Sequence, residues 1–134
     1  MRNLILAASA IAVFAGATAP AAFATSVDTG TFTKKQKRIS GDWKIVEENG
    51  QRILRFSDDF RTRSGPDLKV FLSPTAFGQV NGKNAVNGSI NLGELQSTKG
   101  GQDYVIPEGV NLDDFNSVLV HCEAYSVLWG GGDL

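Results

Sequence analysis

The chain has 134 residues, with 13 Lys or Arg, 14 Asp or Glu and one His, so its formal charge is −1. A balance this mild argues against nucleic acid or an anionic membrane surface as a partner, because both are gripped through basic patches. One cysteine, one histidine and one methionine are too few for blue copper, structural zinc or an iron–sulfur cluster.

The first residues, Met1-Arg2-Asn3, give a basic start, and Leu4 to Phe14 carries no charge. Ala22-Phe23-Ala24 then supplies the small residues of a cleavage site. This pattern predicts a secretory signal peptide over residues 1–24, cut after Ala24. Its apolar stretch is Ala-rich, broken by Gly16 and Pro20, and shorter than the roughly 20 apolar residues of a membrane span. No membrane insertion is therefore expected after cleavage, and the expected location is periplasmic or extracellular. Residues 25–134 are expected to form one domain. They hold 12 basic against 14 acidic residues, a formal charge of −2.

Thr31-Phe32-Thr33 reads as a first strand. The basic cluster Lys34-Lys35-Gln36-Lys37-Arg38 reads as a solvated loop or strand edge, where lysine discourages edge-to-edge pairing. Asp42 to Glu47 and Arg52 to Phe56 flank Asn49-Gly50 and predict a hairpin, since Asn-Gly provides the positive φ angles of a type I′ turn. Period-2 alternation puts Trp43 and Ile45 on one face, and Leu68, Val70 and Leu72 on one side of a further strand. A Gly- and Asn-rich loop between Gly78 and Gly88 is long enough to be mobile or functional. Short strands follow at Ile90-Asn91-Leu92 and Tyr104-Val105-Ile106, separated by a turn at Lys99-Gly100-Gly101. Asn111 is placed to cap one helical turn. The last strands are expected at Val118 to Cys122 and Tyr125 to Trp129, with Gly130 to Leu134 as a loose tail. Short strands with regular turn signals predict an all-β fold, a compact antiparallel sandwich or barrel.

The chemical inventory excludes much. C-x-x-C, C-x-x-C-H and G-x-S-x-G are absent, so dithiol redox chemistry, covalent haem and a nucleophile elbow have no support. Asp58-Asp59, Asp113-Asp114 and Asp67 read as turn formers and caps, and no D-x-D-x-D-G calcium loop occurs. Cys122 is the lone thiol. In an oxidising compartment it is an inert core residue, half of an intermolecular disulfide, or a reactive group. Alternation sets it beside Val118 and Val120, with His121 on the opposite face beside Leu119. An apolar face favours the inert reading, and the carboxylate of Glu123 works against a thiolate.

The order of motifs adds a further reading. Gly30-Thr31-Phe32, Gly41-Asp42-Trp43-Lys44-Ile45-Val46 and the Asn-Gly hairpin precede Ser64-Gly65-Pro66-Asp67-Leu68-Lys69-Val70-Phe71-Leu72-Ser73. Asn91-Leu92-Gly93-Glu94-Leu95, Lys99-Gly100-Gly101-Gln102-Asp103-Tyr104-Val105-Ile106-Pro107 and Ser117-Val118-Leu119-Val120-His121-Cys122 follow, then Tyr125-Ser126-Val127-Leu128-Trp129-Gly130. This series resembles the DM13 domain family over about residues 29–130. The resemblance implies a compact β-domain of secreted proteins with a role in electron transfer, its late cysteine being the suggested redox residue. Cys122 occupies that place, with Tyr125 and Trp129 nearby. His121 and Glu123 depart from the bulky residue that often precedes that cysteine and the basic one that often follows it. The resemblance points to a redox accessory domain rather than a stand-alone enzyme. No cofactor is identified on this chain; any haem involved is expected on a separate redox partner protein. The alternative is a non-catalytic binding or structural domain in which Cys122 is core.

Overall fold

The computed structural model describes residues 25–134; the expected signal peptide, residues 1–24, lies outside the described residues. In chain order the strands are β1 (Thr25–Thr31), β2 (Thr33–Lys34), β3 (Ile39–Ser40), β4 (Asp42–Glu48), β5 (Gln51–Phe56) and β6 (Arg61–Thr62). They continue with β7 (Leu68–Ser73), β8 (Ile90–Glu94), β9 (Gln102–Ile106), β10 (Ser117–Cys122) and β11 (Val127–Asp133). Two short 3₁₀ turns, Phe77–Gln79 and Leu112–Asp114, are the only helical pieces among the described residues. The fold is all-β, as expected.

The Asn-Gly hairpin forms as its residues dictate. Asn49 and Gly50 both take positive φ, 52° and 76°, and the register runs from Glu48 opposite Gln51 to Trp43 opposite Phe56. That hairpin is the centre of a four-stranded antiparallel sheet ordered β1-β4-β5-β9. A second sheet is ordered β2-β11-β10-β7-β8, and β3 pairs with β6 in a small third one. The two large sheets pack their inner faces together. Trp43, Ile45, Leu54, Phe56, Tyr104 and Ile106 meet Leu68, Val70, Leu72, Val118, Val120 and Cys122 in one buried cluster. Phe32 anchors one end of it, with ring centroids 4.9 Å from Trp43, 4.8 Å from Phe56 and 5.0 Å from Phe60. Such tilted and edge-on pairs each add about 0.5–1.5 kcal/mol beyond their burial.

The Gly- and Asn-rich segment turns out to be a cover. Phe77, Val80 and Ala85 are buried against Phe71, Leu119 and Leu128, a second apolar cluster on the outer face of the second sheet. The asparagines hold this cover in shape. Asn81 Oδ1 accepts the N–H groups of Lys83 and Asn84, while Asn84 Oδ1 accepts that of Asn81. Strand β10 is thereby enclosed on both faces, and all six of its residues are buried.

The C-terminal end also differs from expectation. Tyr125 lies in the turn, and the strand begins only at Val127. Gly130 to Gly132 are buried strand rather than loose tail. A Cβ at Gly132 would stand 2.5 Å from both the Thr31 carbonyl oxygen and the Trp43 ring, so β11 approaches the first sheet only where side chains are missing. The register of β10 against β11 shifts between Val120 (opposite Gly130) and His121 (opposite Leu128), which leaves Trp129 as the bulged residue. A bulge re-aims its side chain. The Lys34–Arg38 cluster is edge and loop, as read: β2 ends the second sheet, and the Lys35, Gln36 and Lys37 N–H groups donate to the Trp129 carbonyl. No helix among the described residues is long and apolar enough to cross a membrane.

Candidate functional site

Cys122 ends β10 on the inner face, opposite Leu68 of β7 and Val127 of β11. Its exposure is 1%, and its neighbours belong to the apolar core. The side chains around it in that cluster are aliphatic and aromatic. The strand period sets His121 on the other face, also at 1% exposure, with its ring 6.0 Å from Phe71 in an edge-on arrangement. His121 Nδ1 is buried and without a hydrogen-bond partner. Burial pushes the imidazole below its ordinary pKa, against the opposing pull of the Glu123 and Asp67 carboxylates. The two adjacent side chains therefore belong to different compartments, and His121 is not a base for Cys122.

Asp67 connects the Gly-Pro-Asp-Leu run to the far end of β10. Its Oδ2 accepts the Ala124 N–H at 2.8 Å, and its own carbonyl accepts the Glu123 N–H at 3.1 Å. Lys69 lies between Asp67 at 3.4 Å and Glu123 at 2.9 Å. Its pKa is raised, first by the hydrogen bond to Glu123. Asp67 caps backbone amides, as its sequence context suggests, but the main amide is 57 residues away rather than in its own turn. The clamp ties down the turn that immediately follows Cys122.

Trp129 is 5% exposed and joins the same core as Cys122, whereas Tyr125 is 68% exposed on the turn. Of the three residues singled out in the sequence, the fold thus unites Cys122 and Trp129 and leaves Tyr125 outside. The Trp129 Nε1–H donates to the Arg63 carbonyl at 3.0 Å. Its ring lies over Gly65, where a Cβ would come within 2.7 Å of it and within 3.2 Å of Leu68. Gly65 is therefore a seat for the indole, and Leu68 stands between that seat and Cys122. The same Ser64–Leu68 segment, with Glu94 to Thr98, lines an open groove of about 300 Å³. Leu68 forms part of the groove wall and is also the cross-strand neighbour of Cys122. Among the described residues no group of three or more His, Cys, Asp or Glu side chains converges to hold a metal ion.

A family model described as electron transfer DM13 matches residues 31–131. The chain belongs to the DM13 family. Membership carries a redox-related role for this DM13 domain, and the motifs that suggested the resemblance lie within the matched span apart from Gly30. No curated protein and no solved structure matches the chain.

The distant partners of Asp67 and Gly65, Ala124 and Trp129, have no signal in sequence spacing. Asp67 and Gly65 both stand in the Gly-Pro-Asp-Leu run, so the signal was present as a motif without its long-range partners.

Proposed function

We propose that this DM13 domain, residues 25–134 of an exported protein, is an electron-transfer accessory domain with Cys122 as its redox thiol. The observation that carries the reading is that the chain's one thiol lies within the family-matched span and is the cross-strand neighbour of Leu68, which forms part of the groove wall. In that role the Cys122 S–H loses one electron to an oxidised one-electron carrier on a partner protein and its proton to water, leaving a thiyl radical. Return of an electron from the reduced carrier, with a proton from water, restores the thiol. Any haem belongs to the partner. The apolar surroundings keep the sulfur away from a second thiol, and brief opening near Leu68 and the 123–126 turn supplies the proton path. The leader pattern supports export to a periplasm or the cell exterior.

A second reading is favoured by one specific observation: a thiol at 1% exposure among aliphatic and aromatic side chains has the setting of an inert core cysteine. Here the domain serves by binding, and Cys122 only packs. Electron exchange with hexachloroiridate(IV), a one-electron oxidant strong enough to reach a thiyl radical, followed by stopped flow on the wild type and Cys122→Ser, separates the two. Loss of exchange in a folded Ser variant supports the redox thiol; unchanged exchange assigns Cys122 to packing.

A further inference from the structure

The basic loop of the sequence does more than guard a strand edge. Lys35 Nζ lies 4.5 Å from the centre of the Phe77 ring, and Lys37 Nζ lies 5.7 Å from that of Trp129. Lys34 pairs with Gly130 in β11. Arg38 immediately precedes β3, its carbonyl accepting the Thr62 hydroxyl, and Arg63 follows β6 with its carbonyl accepting the Trp129 Nε1–H. Lys34, Lys35, Lys37, Arg38 and Arg63 thus come from two chain segments beside Trp129 and Phe77, with the Lys35 and Lys37 ammonium groups set over the two rings. None of them makes an ion pair within 4.0 Å of a carboxylate among the described residues, whereas Arg55 and Lys69 each bridge two. The nearby acids are committed or lie beyond the rim. Asp133 Oδ1 accepts the Phe77 N–H, and Asp58 and Asp59 border Arg61 and Lys99 farther along.

Edge protection does not account for this arrangement. Strand β2 is two residues long and needs one lysine for that purpose, and neither Arg38 nor Arg63 lies on it. Holding like charges together without counter-charges is unfavourable in the free chain, and the cost is recovered when an opposite surface arrives. We infer that this rim is the docking face for a partner protein whose own contact surface is acidic. The mature chain's formal charge of −2 gives no general attraction for anions, so binding of an acidic surface must come from this local basic patch. The inference stands apart from the role of Cys122.

The test uses a fluorescein-labelled oligoglutamate peptide as the acidic probe, with binding read by anisotropy. Salt is set at about 10 mM and about 150 mM, where the screening length falls from about 30 Å to about 8 Å. Wild type is expected to bind at low salt and lose most of its binding at the higher salt. The variant Lys35→Glu/Lys37→Glu/Arg38→Glu is expected to bind at least about tenfold more weakly, and the milder Lys37→Gln/Arg38→Gln to fall between. A control, Lys44→Glu/Arg52→Glu/Lys83→Glu, makes the same change in net charge away from the rim and is expected to keep most of the binding. Equal weakening in the rim and control variants overturns the inference. So does tighter binding of the wild type to phosphatidylglycerol vesicles or oligothymidine than to the peptide. Cys122→Ser is expected to bind the peptide like wild type, so this result and that of the electron-exchange experiment are read independently.

Discussion

Removing the Asp67 clamp should open the way to Cys122. In Asp67→Ala the Ala124 N–H loses a charge-assisted acceptor at 2.8 Å. Hydrogen bonds to charged groups are worth about 1.5–3 kcal/mol, and the exposure of Ala124 lets water replace the lost partner, which places the cost near the lower end, about 1.5 kcal/mol. Loss of the Lys69 contact adds little, because Lys69 keeps Glu123 at 2.9 Å. An opening equilibrium shifted by about 1.5 kcal/mol changes about tenfold. When reclosing is fast, alkylation of a covered thiol follows the open fraction. Iodoacetamide labelling of Cys122 in the native protein should therefore run about tenfold faster in Asp67→Ala. Ile45→Val, a deletion in the first sheet that costs about 0.5–1.5 kcal/mol globally, should leave it nearly unchanged. If Ile45→Val accelerates labelling as much as Asp67→Ala does, Cys122 is reached only by global unfolding and the clamp argument fails.

Two further outcomes follow from the same packing. Unfolded His121 takes up a proton near its ordinary pKa of about 6.5, while the buried ring, facing Asp67, Glu123 and Lys69, takes it up only at lower pH. The unfolded state then binds more protons, so wild-type stability should fall as pH drops below about 6.5, by up to about 1.4 kcal/mol per unit. Urea unfolding between neutral pH and the carboxylate range should show that slope, and His121→Leu should remove it; an unchanged slope would place the titrating group elsewhere. Gly132→Ala drives a methyl group into the Thr31 carbonyl and the Trp43 ring. It should cost at least about 1–3 kcal/mol, read as a lower denaturation midpoint at unchanged m-value, and a midpoint equal to wild type would contradict the packing of β11 against β1 and β4.

Much of this architecture could be read from the chain because its signals are local. Asn49-Gly50 demands its turn, and alternation puts Trp43, Ile45, Leu68, Val70, Leu72, Val118, Val120 and Cys122 on the buried side. Asn111 caps its short turn by accepting the Asp113 N–H, as its position suggests. The misreadings arise where distant packing decides. Glycines 130–132 look like a tail because glycine is a poor strand former, yet Trp43 and neighbouring strands fill the space their side chains would need. The polar segment after β7 reads only as a loop, mobile or functional, because Phe77, Val80 and Ala85 are spaced too irregularly to announce the face they bury. Asp67 and Gly65 are half of contacts whose other halves lie beyond residue 120, and spacing within the Gly-Pro-Asp-Leu run cannot reveal them.

The central claim is that the one thiol of this DM13 domain carries its electron-transfer chemistry from inside the core. Stopped-flow electron exchange on the folded wild type and Cys122→Ser, matched by circular dichroism, tests it most directly. The account predicts exchange in the wild type and its loss in the variant. Equal exchange in both would make Cys122 a packing residue and move the redox role to the partner.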